Sequence, residues 1–543
     1  MTASATEAEP PGQPDHRPTT QGAAFLPEPI RPGRFAAPVS LSGRATPTRA
    51  GAGALLFLQL LTLVGFGLVR FHRYALSYDD AAYTQAWWLI AHGQLDPFST
   101  VIGIRFLAND GELVIWLLAP LAWLAPSALT LVAVQALALV ATNAVALTWI
   151  SEVLTATRQA GAPGTPDRRS GESLLRWLAL AAVVLDPWCY VAAASPLHLE
   201  PFAALFAVVA ARALWRARAG LVPLWAALLV ATGFVGGLAL AGLGLGELAA
   251  RRGRGWTGWL LLGVGLGWLL TLLELHLAGA GGLVVRGDLS YLLPPGHHAG
   301  LSELALRALE NPGKLVATAA PRLPLVLLLL LPLGVVGILT PRAAGLALST
   351  WGVPLLLTGP ITRLIEAFQF WPAVPVVLVG TMIFLTSDRL RTGRLPSVVL
   401  TTCAVTGAVL LVGATTLLLP AWLGVSPGQA GLLRADRAAT PPSAEVVTVN
   451  AVAGRFAERR WLVVLTTPQR VVPLAATPIV FVLAPSVAPL DVAPAEVQRF
   501  AEAVARLRGV RVLPSGDGVR AFIWHPERGV VGIIFPSGAL VKG

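Results

Sequence analysis

Apolar and polar positions along the chain fall into long blocks rather than short alternations. Apolar runs long enough, or nearly so, to cross a bilayer as helices occupy about 52–69, 128–150, 175–193, 201–218, 256–277, 323–339, 343–359, 372–387 and 396–419. Two shorter glycine-rich runs, 221–235 and 236–250, read as a broken pair. The run "ELVIWLLAPLAWLAP" (112–126) is apolar but short and proline-bounded, so it reads as an interfacial or re-entrant helix. Beyond about residue 420 the pattern changes. "AEVVTVN", "WLVVLTT" and "TPIVFVLAPS" read as strands, and "APAEVQRFAEAVARLRG" has helical periodicity. "VRVLPSGDGVRAFIWHP" reads as a hairpin around its Ser-Gly-Asp-Gly turn. Strands alternating with helices predict a small α/β domain over 421–543. Residues 1–50, rich in Pro, Ala, Thr and Arg, show no apolar periodicity and predict a disordered cytosolic tail. No cleavable signal opens the chain, so the first span is expected to be an uncleaved anchor.

Composition strengthens the membrane assignment. Of 543 residues 55% are hydrophobic and only 13% charged, with a mean hydropathy of +0.68. A soluble chain would carry about a quarter charged residues. The expected fold is a polytopic α-helical membrane protein of about eleven spans with a small C-terminal extracytoplasmic α/β domain.

The net charge of +11 comes from arginine; Lys314 and Lys542 are the only lysines. The arginines crowd short loops, as in "RQAGAPGTPDRRSGESLLR" (158–176), "ARALWRARAG", "ARRGRG" and "SDRLRTGR". That is the positive-inside pattern, so the charge reports topology rather than nucleic-acid binding. It places the N-terminus in the cytosol and loop 71–127 outside. If 112–126 crossed, the four arginines of 158–176 would fall outside. No matched broken helices recur in two halves, which disfavours a transporter. Two cysteines, Cys189 and Cys403, give no disulfide framework or metal site.

The candidate chemistry collects on the expected outer side. Loop 71–127 holds Asp79, Asp80, Tyr83, Gln85, Asn109, Asp110 and Glu112; later loops add His198, Glu200, Arg286 and Arg363. A carboxylate there can take a proton from an acceptor hydroxyl, while Arg or His holds a phosphate leaving group. The same two aspartates also suit the first turn of a helix, where the dipole favours acids. Adjacent helical residues point about 100° apart, so one of the pair is expected to face a pocket while the other caps or binds a cation. Trp87, Trp88, Trp116 and Trp123 read as an interfacial belt or as a sugar platform. No His/Asp spacing fits a metal site on one helical face.

The order of these features resembles the GT-C superfamily of membrane glycosyltransferases. The resemblance is carried by "DDAAYTQAWWLIAHGQLDPFST", "LLAPLAWLAPSALTLVAVQALAL", "PLHLEPFAALFAVVAARALWR" and "PPSAEVVTVNAVAGRF". More closely, the chain resembles a bacterial predicted-membrane-protein family of unknown function affiliated with that fold. The resemblance implies transfer of a sugar from a polyprenyl-phosphate donor to an envelope acceptor on the outer face. Asp79 would be the base and Asp80 its helper or the ligand of a divalent cation. Tyr83, Gln85, His198, Glu200, Arg286 and Arg363 would bind substrate, and membrane lipid would be the remaining partner. Two departures matter. Relatives carry a Lys-Glu-Asp element where this chain has Gly233, Phe234 and Val235. They carry an Asp-His pair where it has Asn109 and Asp110. The rival reading is a catalytically degenerate envelope scaffold that binds a partner. Neither sugar nor acceptor is readable from these residues.

Overall fold

A computed structural model describes residues 47–160, 167–250, 255–279, 289–294, 301–358, 368–387, 394–466, 470–487 and 492–543. Most of the expected N-terminal tail, Arg286 and Arg363 lie outside the described residues.

Among the described residues, six helical segments are long and apolar enough to cross a membrane: Ala50–His72, Ala128–Thr157, Ser173–Ala194, Gly255–Leu275, Pro312–Leu333 and Leu395–Trp422. The first shows the solvent expected of it: Phe57, Leu58 and Leu61 are 61%, 58% and 53% exposed, an apolar outer face suited to lipid. The eleven expected spans do not each appear as one long helix among the described residues. Glu200–Trp215 and Phe234–Ala249 have 16 residues each, about 24 Å of helix against a hydrocarbon core of about 30 Å. The break between 221–235 and 236–250 is real. Val222–Val230 ends, Gly233 adopts φ +77°, and Phe234–Ala249 begins. The 112–126 run is two short helices, Val114–Leu118 and Leu121–Leu124, joined at Pro120.

Small residues let the bundle close. A Cβ added at Gly244 would lie 2.5 Å from the Leu262 nitrogen, and one at Gly246 would lie 2.7 Å from the Arg342 Cα. Phe234–Ala249 thereby packs backbone-to-backbone against Gly255–Gly279 and Pro341–Thr350, the usual way apolar helices associate in lipid. Glu247 pairs with Arg342 at that contact, and Glu152 takes both Arg212 and Arg216.

The C-terminal residues build a mixed five-stranded sheet in the order 462–465, 445–449, 479–483, 520–524, 511–512. The first three strands are parallel, and the last two join antiparallel. Pro494–Ala505 covers one face through Val497, Phe500, Ala501 and Val504.

This sheet shares a hydrophobic core with the start of the first loop. Tyr74, Ala75, Ala81, Ala82 and Val101 pack in one cluster with Val446, Val447, Phe456 and Leu462. Backbone bonds cross the same boundary, from the Gly454 N–H to the Leu76 carbonyl at 2.9 Å. The Tyr78 N–H donates to Asn450 Oδ1 at 2.9 Å. Residues packed this way lie on one side of the membrane.

A candidate acidic site at the head of the first loop

The site grows from one helix start. Ser77 is the N-cap of Tyr78–Ala91, which puts Asp79 and Asp80 in its first turn. Asp80 completes a capping box by accepting the Ser77 N–H at 2.8 Å. Its other contacts reach outward. Oδ2 takes Nη2 of Arg70 at 3.2 Å, and Oδ1 takes the Leu197 N–H at 3.0 Å. Arg70, at the end of the first long helix, also donates to the Ser195 carbonyl at 3.0 Å. Both members of this ion pair are buried. Asp80 therefore joins the first helix, the second helix and the 195–198 turn.

That turn carries His198. Its N–H donates to Gln135 Oε1 at 3.3 Å, and Gln135 Nε2 in turn donates to the Ala192 carbonyl at 2.9 Å. His198 Nε2 lies 3.7 Å from Asp79 Oδ2, and Nδ1 lies 3.8 Å from Glu200 Oε2. Exposure grades across the trio: the side chains of Glu200 and His198 are 5% and 8% exposed, that of Asp79 41%. Asp79 is the member that solvent reaches most. Burial drives the His198 pKa down to about 3, so the imidazole is neutral at ordinary pH.

Tyr83 stands one turn beyond Asp79 with its ring 6.0 Å from that of His198. Its hydroxyl donates to Glu112 Oε1 at 2.7 Å. Trp371 flanks His198 with ring centroids 6.4 Å apart. Asp79, Tyr83, His198 and Glu200 thus converge, joined by Glu112.

Gln85 does other work. Its Nε2 donates to Thr100 Oγ1 at 2.9 Å and to the Arg460 carbonyl at 3.2 Å. Its Oε1 accepts from Ser99 Oγ at 2.8 Å. Gln85 locks the loop onto the C-terminal layer instead of presenting its amide to a substrate. Arg70 and Gln135 were not among the expected site residues, and Glu112 stood in the loop's polar set without a role. Arg70 had a readable signal: it sits at the end of the first span opposite the arginine-rich side. Among the described residues, no three His, Cys, Asp or Glu side chains are grouped to hold a metal ion.

The family described as "Predicted membrane protein (DUF2079)" matches residues 73–465. The chain belongs to that family. The matched stretch opens just before the Ser77 cap, includes the carboxylates and His198 of the site and ends with the Leu462–Leu465 strand. The match therefore takes in the bundle after the first long helix and the first two sheet strands, while Arg70 lies just outside it. Among solved structures, the chain is similar to the apo crystal structure of ArnT from Cupriavidus metallidurans. The two share 14% identity over 87% of this chain and 98% of that one, with a TM-score of 0.47. No curated protein sequence matches the chain.

Proposed function

We propose that this family member is a membrane glycosyltransferase that moves a sugar from a polyprenyl-phosphate donor to an envelope acceptor on the extracytoplasmic face. The observation that carries the reading is the graded acidic cluster: half-exposed Asp79 backed by buried His198 and Glu200. The resemblance of "DDAAYTQAWWLIAHGQ" to the first loop of GT-C enzymes supports the same assignment. In the proposed step, the acceptor hydroxyl gives its proton to the Asp79 carboxylate. Its oxygen bonds to the anomeric carbon as the bond from that carbon to the phosphate oxygen breaks. The polyprenyl phosphate leaves with the bonding pair. Neutral His198 orients the Asp79 carboxylate, and Tyr83 with Glu112 forms the adjoining wall. Asp80 is a positioning residue: through Arg70 and Leu197 it sets the turn that bears His198.

Asp79→Asn in purified protein, assayed with radiolabelled polyprenyl-phosphate sugars and envelope lipids, should lower transfer about 10²–10⁴-fold while membrane insertion is unchanged. Full activity in that variant would end the assignment of Asp79.

One observation favours the scaffold reading. The turn where relatives carry Lys-Glu-Asp is apolar, and its Gly233 carbonyl is occupied by Trp268 Nε1 at 3.2 Å. A charged donor contact is missing there. Absence of turnover and of binding with every polyprenyl-phosphate sugar tried would favour that reading.

A further inference from the structure

An arginine-lined cavity lies at the C-terminal end of the first long helix, and it shares no residue with the Asp79 cluster. It has a volume of about 660 Å³. Phe71, His72 and Tyr74 close it from the membrane side; Arg434 and Arg437 come from the Pro427–Ala439 helix, and Arg455, Glu458 and Arg459 from the turn after the first sheet strand. Four guanidinium groups thus meet one carboxylate, which is already taken by Arg437 Nη2 at 2.7 Å.

Arg455 is the telling residue. It is only 8% exposed, yet Nε and Nη1 have no hydrogen-bond partner. Its guanidinium lies 3.4 Å from the Phe71 ring centroid and 4.7 Å from that of Tyr74. Burial disfavours its charge and neighbouring Arg437 disfavours it further, while the Tyr74 hydroxyl and Glu458 offset only part of this. Arg459 is spent differently, on the Phe456 carbonyl at 2.7 Å and the Ala444 carbonyl at 3.1 Å. A buried guanidinium with idle donors is costly unless an anion pairs with it. Stacking on two aromatic rings offsets part of that cost and leaves the donors idle.

We propose that this cavity binds a phosphoryl anion, with Arg455 as its buried contact and Arg434 and Arg437 as its rim. Arginine suits phosphate through its planar array of donors. The cavity opens where an apolar helix ends, so the phosphoryl group arrives either on a lipid headgroup or on a soluble molecule. The inference stands whether or not Asp79 acts as a base.

The test uses full-length protein in nanodiscs and reads the thermal unfolding midpoint. One arm titrates pyrophosphate into phosphatidylcholine discs, with sodium chloride at matched ionic strength as control. The other arm compares phosphatidylcholine discs with discs containing phosphatidylglycerol. The expected result is a saturable rise in the midpoint in one arm. Pyrophosphate alone producing it identifies a soluble ligand; phosphatidylglycerol alone identifies a headgroup. Arg455→Gln should weaken the apparent affinity about tenfold to a hundredfold, and Arg434→Gln, on the exposed rim, should weaken it less. If Arg455→Gln does not fold, Arg434→Gln and Arg455→Lys carry the comparison. No saturable rise in either arm, or a rise that none of these variants alters, overturns the proposal. A lower midpoint for Arg455→Gln with no anion effect in the parent assigns Arg455 to stacking alone and also overturns it.

Discussion

Asp79 and Asp80 differ in what their removal should expose. Asp80→Asn leaves Arg70 charged and buried without its carboxylate, the situation in which breaking a buried pair costs about 3–5 kcal/mol. The Asp79 side chain is 41% exposed, so Asp79→Asn leaves no charge stranded in the interior and should cost less than Asp80→Asn, about 1 kcal/mol. Thermal unfolding of the two variants side by side checks this; equal losses would remove the division of labour between them. Asp436 makes a second residue-scale prediction. It is fully buried in the Pro427–Ala439 helix, with neither carboxylate oxygen hydrogen-bonded. Burial raises its pKa from 3.8 to about 7. The folded state therefore holds a proton that the unfolded state has lost, and stability present below pH 3.8 drains away as pH rises through about 7. Asp436→Asn should be more stable than the parent at pH 8, by about 1–3 kcal/mol. The gain should shrink toward pH 4. A difference independent of pH between 4 and 8 would refute the burial argument.

At the scale of elements, the sequence was most legible where one local rule acts alone. The strands of the five-stranded sheet, the Pro494–Ala505 helix and the hairpin at 511–524 were visible as patterns, because each buries a regular face on its neighbours, whereas the small sheet of 471–473, 530–534 and 540–542 was not expected. The 112–126 run was expected as one short helix, and Pro120 splits it into two. Hydropathy was least decisive at 200–249 and 323–385. There apolar composition does not distinguish a helix facing lipid from one enclosed by other helices. Glu200–Trp215 is apolar because protein surrounds it, and it stops after 16 residues. The site was half legible. An acidic pair at a helix start announces a cap and a carboxylate turned elsewhere, but not which residue is which. Asp80 became the cap because its position, three residues beyond Ser77, reaches the Ser77 N–H and Arg70 together. Gln85 misled because its partners, Thr100 and Arg460, lie 15 and 375 residues away.

At the scale of the whole molecule, the shared core of loop and sheet constrains the topology. Residues 74–101 and the C-terminal layer occupy one side, so an even number of crossings must separate them. Five of the six long apolar segments follow the first loop, and five is odd. The shorter apolar helices therefore supply an odd number of additional crossings, and Glu200–Trp215, Phe234–Ala249 and Phe370–Leu385 together make three. We infer further that the shared side is extracytoplasmic, because the arginine-dense loops belong on the opposite one. Single-cysteine variants test both statements. Leu95 at the tip of the first loop is 75% exposed, and the Arg508 side chain in the C-terminal layer is 94% exposed. The native Cys189 and Cys403 are buried, so the parent should stay silent to a membrane-impermeant maleimide. Leu95→Cys and Arg508→Cys should both react in intact cells. Reaction of only one before permeabilisation would break the shared-side topology. Reaction of both only after permeabilisation would keep that topology but reverse its direction, and would put the Asp79 cluster on the cytosolic face, away from the envelope acceptor the proposed reaction requires.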